Sequence, residues 1–254
     1  MSVVAIDSRA AIPSPAAHRA IRILEEIRAA DRPLRLTDLA RVLECPKSSV
    51  HNLLVTLESL GMVRAAPDGW RIGIKALEIG AGAMGSARAA FRRLVDASAA
   101  LAPHTVLLSV LDGSDIVCVA RHEGREAVRL SIEVGDRMPA VVTALGKAMV
   151  AALSDVDREA FLDALPGVPQ LTRRTHPSVA ELRRDLDAVR HRGYAVDYEQ
   201  NTVGITCFAV DVPGASIPTA VAVTLPTQRV DDALRQVFLE ELARLAAHEE
   251  VYSA

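Results

Sequence analysis

The stretch CPKSSVHNLLVTLESLGMVRAAPDGWRIGI, residues 45–74, decides how the front of this chain folds. Val50, Leu53, Leu54, Leu57 and Leu60 recur at helical spacing, which predicts a helix that starts at Pro46. Gly61 stands where a helix C-terminal cap belongs. Beyond it, MVRAAPDGWRIGI reads as two strands around a Pro-Asp-Gly turn. With the apolar positions turned inward, Lys47, Ser48, Ser49, His51 and Asn52 are left on the solvent side of the helix's amino end, with Thr56 one turn on.

Working outward, HRAIRILEEIRAA predicts a first helix with Ile21, Leu24 and Ile27 on one face, broken by Pro33. TDLARVLE predicts a second, with Thr37 as N-cap and Leu39, Ala40 and Leu43 inward. Residues 1–16, with Pro13 and Pro15, read as a flexible arm. The order over 17–74 is therefore helix, helix, tight turn, helix, two-stranded wing. That is the winged helix-turn-helix order, in which the helix after the turn enters the DNA major groove. A small helical bundle with a hairpin shares the same order.

The polar residues on the helix fit the first alternative. A helix amino end with free N–H groups favours phosphate, and Lys47 and Ser48 suit that contact. His51 and Asn52 have the reach and the donor–acceptor pattern to read base edges, asparagine pairing adenine through two bonds. Arg64 and Arg71 in the wing and Arg19 in the first helix are placed to hold the flanking backbone. The net charge of −3 does not by itself suggest nucleic acid, but it is unevenly spread. Residues 1–87 hold 11 Lys/Arg against 9 Asp/Glu, and residues 88–254 hold 18 against 23, so the candidate DNA-binding part is the less acidic one.

Residues 75–100 read as one long linker helix, with Leu77, Met84 and Phe91 recurring between glycines. From 104 the apolar period changes to two. HTVLLSVL and DIVCVARH flank Asp112-Gly113-Ser114 as a hairpin, and VRLSIEVG (128–135) reads as a third strand. TALGKAMVAAL is a helix capped by Thr143, SDVDREAFLDAL one capped by Ser154, and ELRRDLDAVRHR one opened by a Ser178–Glu181 capping box and closed by Gly193. YAVDYEQ, GITCFAVDV and PTAVAVTL are three more strands, and QRVDDALRQVFLEELARLAAH is a closing helix. Strands interleaved with helices make residues 101–254 α+β, an antiparallel sheet with helices packed on its faces.

Chemical readings are thin. Cys45 and His51 supply one pair of ligands where structural zinc wants four, so no metal site is expected. There is no G-x-S-x-G, Walker A, H-E-x-x-H or dinucleotide fingerprint, and no cofactor is expected. Cys118 and Cys207 sit in apolar strands, where cysteine packs as a small hydrophobe; a thiol redox sensor or an enzyme built on them is the rival function. The three cysteines lack the spacing of a disulfide framework and point to a reduced cytoplasm. No uncharged apolar run reaches the ~18 residues of a membrane helix, and the amino end, with Asp7, lacks the order of a signal peptide.

The two halves together resemble the IclR family (isocitrate lyase regulator type) of bacterial transcription regulators. AHRAIRILEEI, LTDLARVL, PKSSVHNLLVTLESLGMV and WRIGIKALEIG look like its DNA-binding domain. VGDRMPAVVTALGKAMVAAL and RGYAVDYEQNTVGITCFAV look like its two later signatures. The resemblance runs from about residue 17 to 250 and implies a dimer, or a dimer of dimers, on double-stranded operator DNA. It also implies a GAF-like effector domain that takes a small organic acid and controls a catabolic-type operon as repressor or activator. Matching its ligand positions onto this chain names the helix start Thr143, Ala144, Leu145 and Gly146, with Asp197, Cys207 and Thr224 as side-chain contacts. Members with small polar ligands tend to carry a hydroxyl where this chain has Ala222, which implies a larger or partly apolar acid. Members often carry arginine where Asn52 stands.

Overall fold

The computed structural model describes residues 13–82, 85–126 and 132–248. Contacts divide the chain into two units, Met1–Ala83 and Met84–Ala254.

The first unit runs α1 (Pro15–Ala29), α2 (Leu36–Val42), α3 (Lys47–Ser59), β1 (Val63–Ala66), β2 (Gly69–Ile72) and α4 (Ile74–Gly82). Ser14 caps α1, its hydroxyl accepting from the Ala17 N–H, so the helix begins inside the stretch read as an arm; residues 1–12 lie outside the described part. Ile23 and Ile27, Leu39, Val50, Leu54, Leu57 and Val63 form its core. Two inward assignments need correction. Ile21 is 57% exposed and Ile23, two positions on, takes its place; Leu60 is 62% exposed, past the last buried turn of α3; Leu53 and Leu43 pack half-buried against the core. Thr37 is not the cap of α2 either. Arg35 holds the N-cap position and its N–H donates to Asp38 Oδ2, so Thr37 falls within the first turn. Between α2 and α3 the chain turns through Glu44 in left-handed backbone (φ 50°), and Gly61 (φ 74°) ends α3 as its position predicts.

β1 and β2 pair antiparallel, with Ala66 opposite Gly69 across the Pro67-Asp68 turn. The wing has one partner the sequence does not announce. Leu34 bridges Trp70 through two backbone bonds, Leu34 N–H to Trp70 O at 3.1 Å and Trp70 N–H to Leu34 O at 2.8 Å. That approach is why position 69 is glycine: a Cβ there would lie 2.5 Å from Leu34 O.

The segment 75–100 is occupied by α4 and, in the second unit, α5 (Gly85–Ala97), which ends before Ser98; residues 83–84 between them lie outside the described part. The second unit continues with β3 (Thr105–Asp112), β4 (Asp115–Glu123), β5 (Arg137–Pro139), a 3-10 turn (Ala140–Val142), α6 (Ala144–Ala152), α7 (Asp155–Asp163), α8 (Val179–Arg192), β6 (Ala195–Tyr198), β7 (Ile205–Asp211), β8 (Thr219–Pro226) and α9 (Asp232–Ala246). The strands form one antiparallel sheet in the order β5-β4-β3-β8-β7-β6. The strand expected over 128–135 is not found where it can be seen. Residues 127–131 lie outside the described part, 132–135 turn, and the third strand is the short β5 beyond them.

Strand alternation sorts the core into two layers. Ala209, Ala220 and Ala222 face α6 and α8, whereas Phe208, Val221 and Val223 face α5 and α9. A bulge leaves Val119 without a partner between the Leu108–Ala120 and Ser109–Cys118 pairs, so Cys118 faces the first layer and Ala120 the second. The α6 layer is built from small residues, and α6 lies close as a result. Thr143, Ser154 and Ser178 cap α6, α7 and α8 as expected, each hydroxyl accepting from the N–H three residues on. The Ser178 box is made in one direction, because the Glu181 carboxylate pairs with Arg184.

Candidate functional site

In the first unit, α3 presents the residues expected of a groove-reading helix. Lys47, Ser48, His51, Asn52 and Thr56 are exposed and Ser49 is half-buried, while Val50, Leu54 and Leu57 anchor the opposite face. No side chain caps the amino end of α3, whose N-cap is Pro46, so its first N–H groups are available to an anion. The Thr56 hydroxyl is bonded to Asn52 O at 2.9 Å, which leaves its oxygen as the free acceptor.

Charge pairing separates the cations of this unit. Arg22, Arg32, Arg41 and Lys75 pair with acidic neighbours. Arg19, Lys47, Arg64 and Arg71 are exposed and make no ion pair among the described residues. Arg64 and Arg71 stand directly opposite each other on β1 and β2, an arrangement that destabilises a two-stranded ribbon unless an anion lies between or beside them. Cys45 packs half-buried against the helical core and His51 points to solvent from α3, so the two share no site.

The second unit contains a cavity of about 410 Å³ between the start of α6, the sheet and the turn after β6. Thr143, Ala144, Leu145, Asp197, Cys207, Ala222 and Thr224 line it, seven of the eight expected positions. Their convergence follows from register: Asp197 pairs with Cys207 and Cys207 with Thr224 across three neighbouring strands. Gly146 is the exception. Its N–H is spent on Thr143 Oγ1 at 3.0 Å, and a Cβ on it would lie 2.2 Å from Ala140 O, so it serves the close fit of α6 and not the lining. The N–H groups of Ala144 and Leu145 precede the helix's own ladder and remain as donors.

Asp197 is only 2% exposed, and burial pushes its carboxyl up to about 6 against the pull of the Gln200 and Asn201 N–H groups, which donate to Oδ1 at 2.6 and 3.2 Å. Cys207 Sγ lies 3.3 Å from Thr224 Oγ1. Burial, then the neighbouring Asp197, push that thiol up to about 12; burial, with Asp136 adding to it, pushes the Cys118 thiol up to about 11. A reactive cysteine needs the opposite shift, so neither has the environment of a redox or nucleophilic thiol.

Among the lining residues sequence reasoning missed Leu107, Ile132, Asp136, Met138, Asn201, Thr202 and Ile205. Ile205 and Leu107 were within reach of it: Ile205 is two positions from Cys207, and Leu107 pairs with Ala222, so alternation places both on the cavity face. Arg137 also lines the cavity, with its guanidinium held by Asp112 at 2.7 Å and Asp115 at 3.3 Å. Lys147, one turn into α6, is fully buried. It donates to Asp185 Oδ2 at 2.7 Å, to Gln200 Oε1 at 2.6 Å and to Val196 O.

Comparison with known proteins places this arrangement. Residues 84–249 match the bacterial transcriptional regulator IclR C-terminal family, and residues 9–67 match the IclR helix-turn-helix domain. The chain belongs to the IclR family. It is 31% identical to the HTH-type transcriptional regulator XynR of Escherichia coli (strain K12) over 88% of this chain and 91% of that one. The fold is shared with an IclR-type regulator from Alicyclobacillus acidocaldarius (TM-score 0.81, 22% identity, 96% of this chain and 100% of that one). It is shared equally with an IclR homologue from Microbacterium hydrocarbonoxydans solved with 4-hydroxybenzoate (TM-score 0.81, 19% identity, 94% and 100%). This IclR-family chain is thus a ligand-responsive, DNA-binding transcriptional regulator and not an enzyme. Among its described residues no helix is long and apolar enough to cross a membrane.

Proposed function

We propose that this regulator works in the cytoplasm as a dimer or dimer of dimers on the operator of a catabolic-type operon, as repressor or activator. In this reading residues 17–74 bind the DNA, 75–100 link the domains and 101–254 take the effector. Lys47 and Ser48 meet phosphate, Ser49, His51, Asn52 and Thr56 face the groove, and Arg19, Arg64 and Arg71 hold the flanking backbone. The supporting observation is the charge pattern: these four cations are exposed and make no ion pair among the described residues, and two of them oppose each other in the wing. Self-association through 75–100 is supported by Leu77 and Ile79, which α4 leaves 65% and 59% exposed.

The effector is an organic acid with an apolar body. A volume of about 410 Å³ falls within the usual range for small-molecule sites and exceeds what the smallest oxoacids fill. The N–H groups of Ala144 and Leu145 suit a carboxylate. Asp197, an acceptor with its second oxygen free of the turn, suits a hydroxyl elsewhere on the same ligand. A ring hydroxy acid satisfies both, and 4-hydroxybenzoate, held by the Microbacterium homologue, is the first compound to test. The ligand acts by binding the DNA-competent and incompetent arrangements with different affinity.

Calorimetry against a panel of aliphatic and aromatic acids tests this reading. A ring hydroxy acid is expected to bind, and Asp197→Ala to weaken it about tenfold or more through the lost charged hydrogen bond. Equal affinity in wild type and Asp197→Ala would refute the assignment of Asp197.

A further inference from the structure

Lys147 has no part in the effector contacts just described, yet among the described residues of the second unit it is the most completely buried charge, with zero exposure. A buried ion pair adds little net stability, and an apolar residue of the same volume often does as well or better. Its retention calls for another reason. The three acceptors of its ammonium supply one. Asp185 belongs to α8, Val196 O to β6, and Gln200 to the turn that follows β6.

That turn forms one wall of the cavity. Gln200 N–H donates to Asp197 Oδ1 at 2.6 Å, so the side chain that Lys147 grips and the amide that orients Asp197 belong to one residue. The turn is strained at Glu199, a non-glycine residue with φ 58°. It is held from the other side as well. Thr172 Oγ1 donates to Glu199 O at 2.6 Å and Thr175 Oγ1 to Gln200 O at 2.7 Å, while Asn201 and Thr202 complete the wall.

We propose that Lys147 is a positioning residue: through Gln200 it fixes the 199–202 turn and thereby the orientation of Asp197 in the effector cavity, and its ammonium acts directly on the charge of that residue. The proposal rests on the reading of that cavity as the effector site. Lys147 acts on Asp197 in two ways. The mechanical one runs Lys147, Gln200 side chain, Gln200 N–H, Asp197. The electrostatic one is direct, because the ammonium favours the ionised carboxylate against the burial that opposes it. The other groups around the pair are Asp185 and Arg192 of α8, His176 of the preceding segment and Cys207 of β7, with Asp136 and Arg137 across the cavity. Asp185 stays ionised below the usual carboxylate range because His176, Lys147 and Arg192 outweigh its burial, so the brace keeps its counter-charge.

The test uses the full chain without ligand, so its failure is distinct from the failure of any acid to bind. Amide hydrogen exchange is followed residue by residue. The Asp197 carboxyl is titrated by carbon NMR on aspartate-labelled protein, its resonance assigned by its loss in Asp197→Asn. In Lys147→Met, exchange at the Gln200 and Asn201 amides should accelerate about tenfold or more, while Val221 and Val223 in the sheet centre keep their protection. The Asp197 midpoint should rise above its wild-type value of about 6, a change that loss of packing alone does not produce. Gln200→Met keeps the Lys147–Asp185 pair, so it should accelerate the same amides and leave the midpoint near wild type. Unchanged protection at 200–201 in Gln200→Met overturns the mechanical link, even if Lys147→Met does not fold. An unmoved midpoint in a folded Lys147→Met overturns the electrostatic one.

Discussion

Asp197→Asn should make the effector unit more stable at neutral pH, although it removes a side chain from the centre of a binding site. The carboxyl is buried, and its midpoint rises from 3.8 in the open chain to about 6 when folded. Between those values the folded state binds the extra proton, so stability is full below about pH 3.8 and falls as pH rises through about 6. Roughly two pH units at about 1.4 kcal/mol each put the loss near 3 kcal/mol by neutral pH. Both turn amides donate to the same oxygen, Oδ1, which asparagine retains, so the substitution removes the charge and keeps the turn. Urea unfolding of wild type and variant at pH 4 and pH 7.5, followed by far-ultraviolet circular dichroism, measures the difference. The single tryptophan, Trp70, lies in the wing and reports the first unit separately as an internal control. The variant should match wild type at pH 4 within about 1 kcal/mol and exceed it by about 2–3 kcal/mol at pH 7.5. A variant less stable than wild type at pH 7.5, or an offset independent of pH, would refute the reasoning. A carboxylate kept at that cost belongs to function more than to folding.

Three further outcomes follow from named contacts. Lys47→Ala should weaken binding to all DNA alike and lower the salt slope by about one, whereas Asn52→Ala should relax preference at one or two base pairs; a base-substitution binding series separates the two. Ala222→Ser adds a hydroxyl to the cavity and should improve the affinity of a pyruvate-sized oxoacid about fivefold relative to a ring acid, read by competition calorimetry. Gly146→Ala should destabilise the effector unit by about 1–3 kcal/mol, because the added Cβ meets Ala140 O at 2.2 Å and backbone must move; urea unfolding reads it directly.

Elements marked by local chemistry were legible in the sequence. Thr143, Ser154, Ser178 and Gly193 bound their helices because a cap is satisfied within four residues, and the 112–115 hairpin for the same reason. Where two local patterns competed, packing chose. The first helix carries apolar residues at 20, 21, 23, 24 and 27, enough for two stripes, and only contact with α3 selects Ile23 over Ile21. Thr37 is a good cap by type, yet Asp38 serves the Arg35 backbone N–H and the cap falls two residues earlier, at Arg35. The three-residue β5 is too short for alternation to announce. In the cavity, the resemblance supplied Asp197, Cys207 and Thr224; strand register explains why they meet. Lys147 appears in the sequence as an interruption of an apolar run and as the lysine of a family-like segment, with no role attached. Its partners Asp185 and Gln200 are 38 and 53 residues away, so no local pattern points to them.

The central claim, that this chain is a regulator that reads DNA with α3 and the wing under control of a bound acid, is tested most directly by titrating the full chain onto the DNA upstream of its own gene. Binding is measured across a series of salt concentrations, with and without a ring hydroxy acid. Each neutralised phosphate contributes a slope of about −0.9 in log K against log salt, so Arg19, Lys47, Arg64 and Arg71 together give about −3.6 per protomer. The account predicts a slope at least that steep and an affinity that moves when the acid is added. Absent or salt-insensitive binding, or an affinity that no acid in the panel changes, would contradict it.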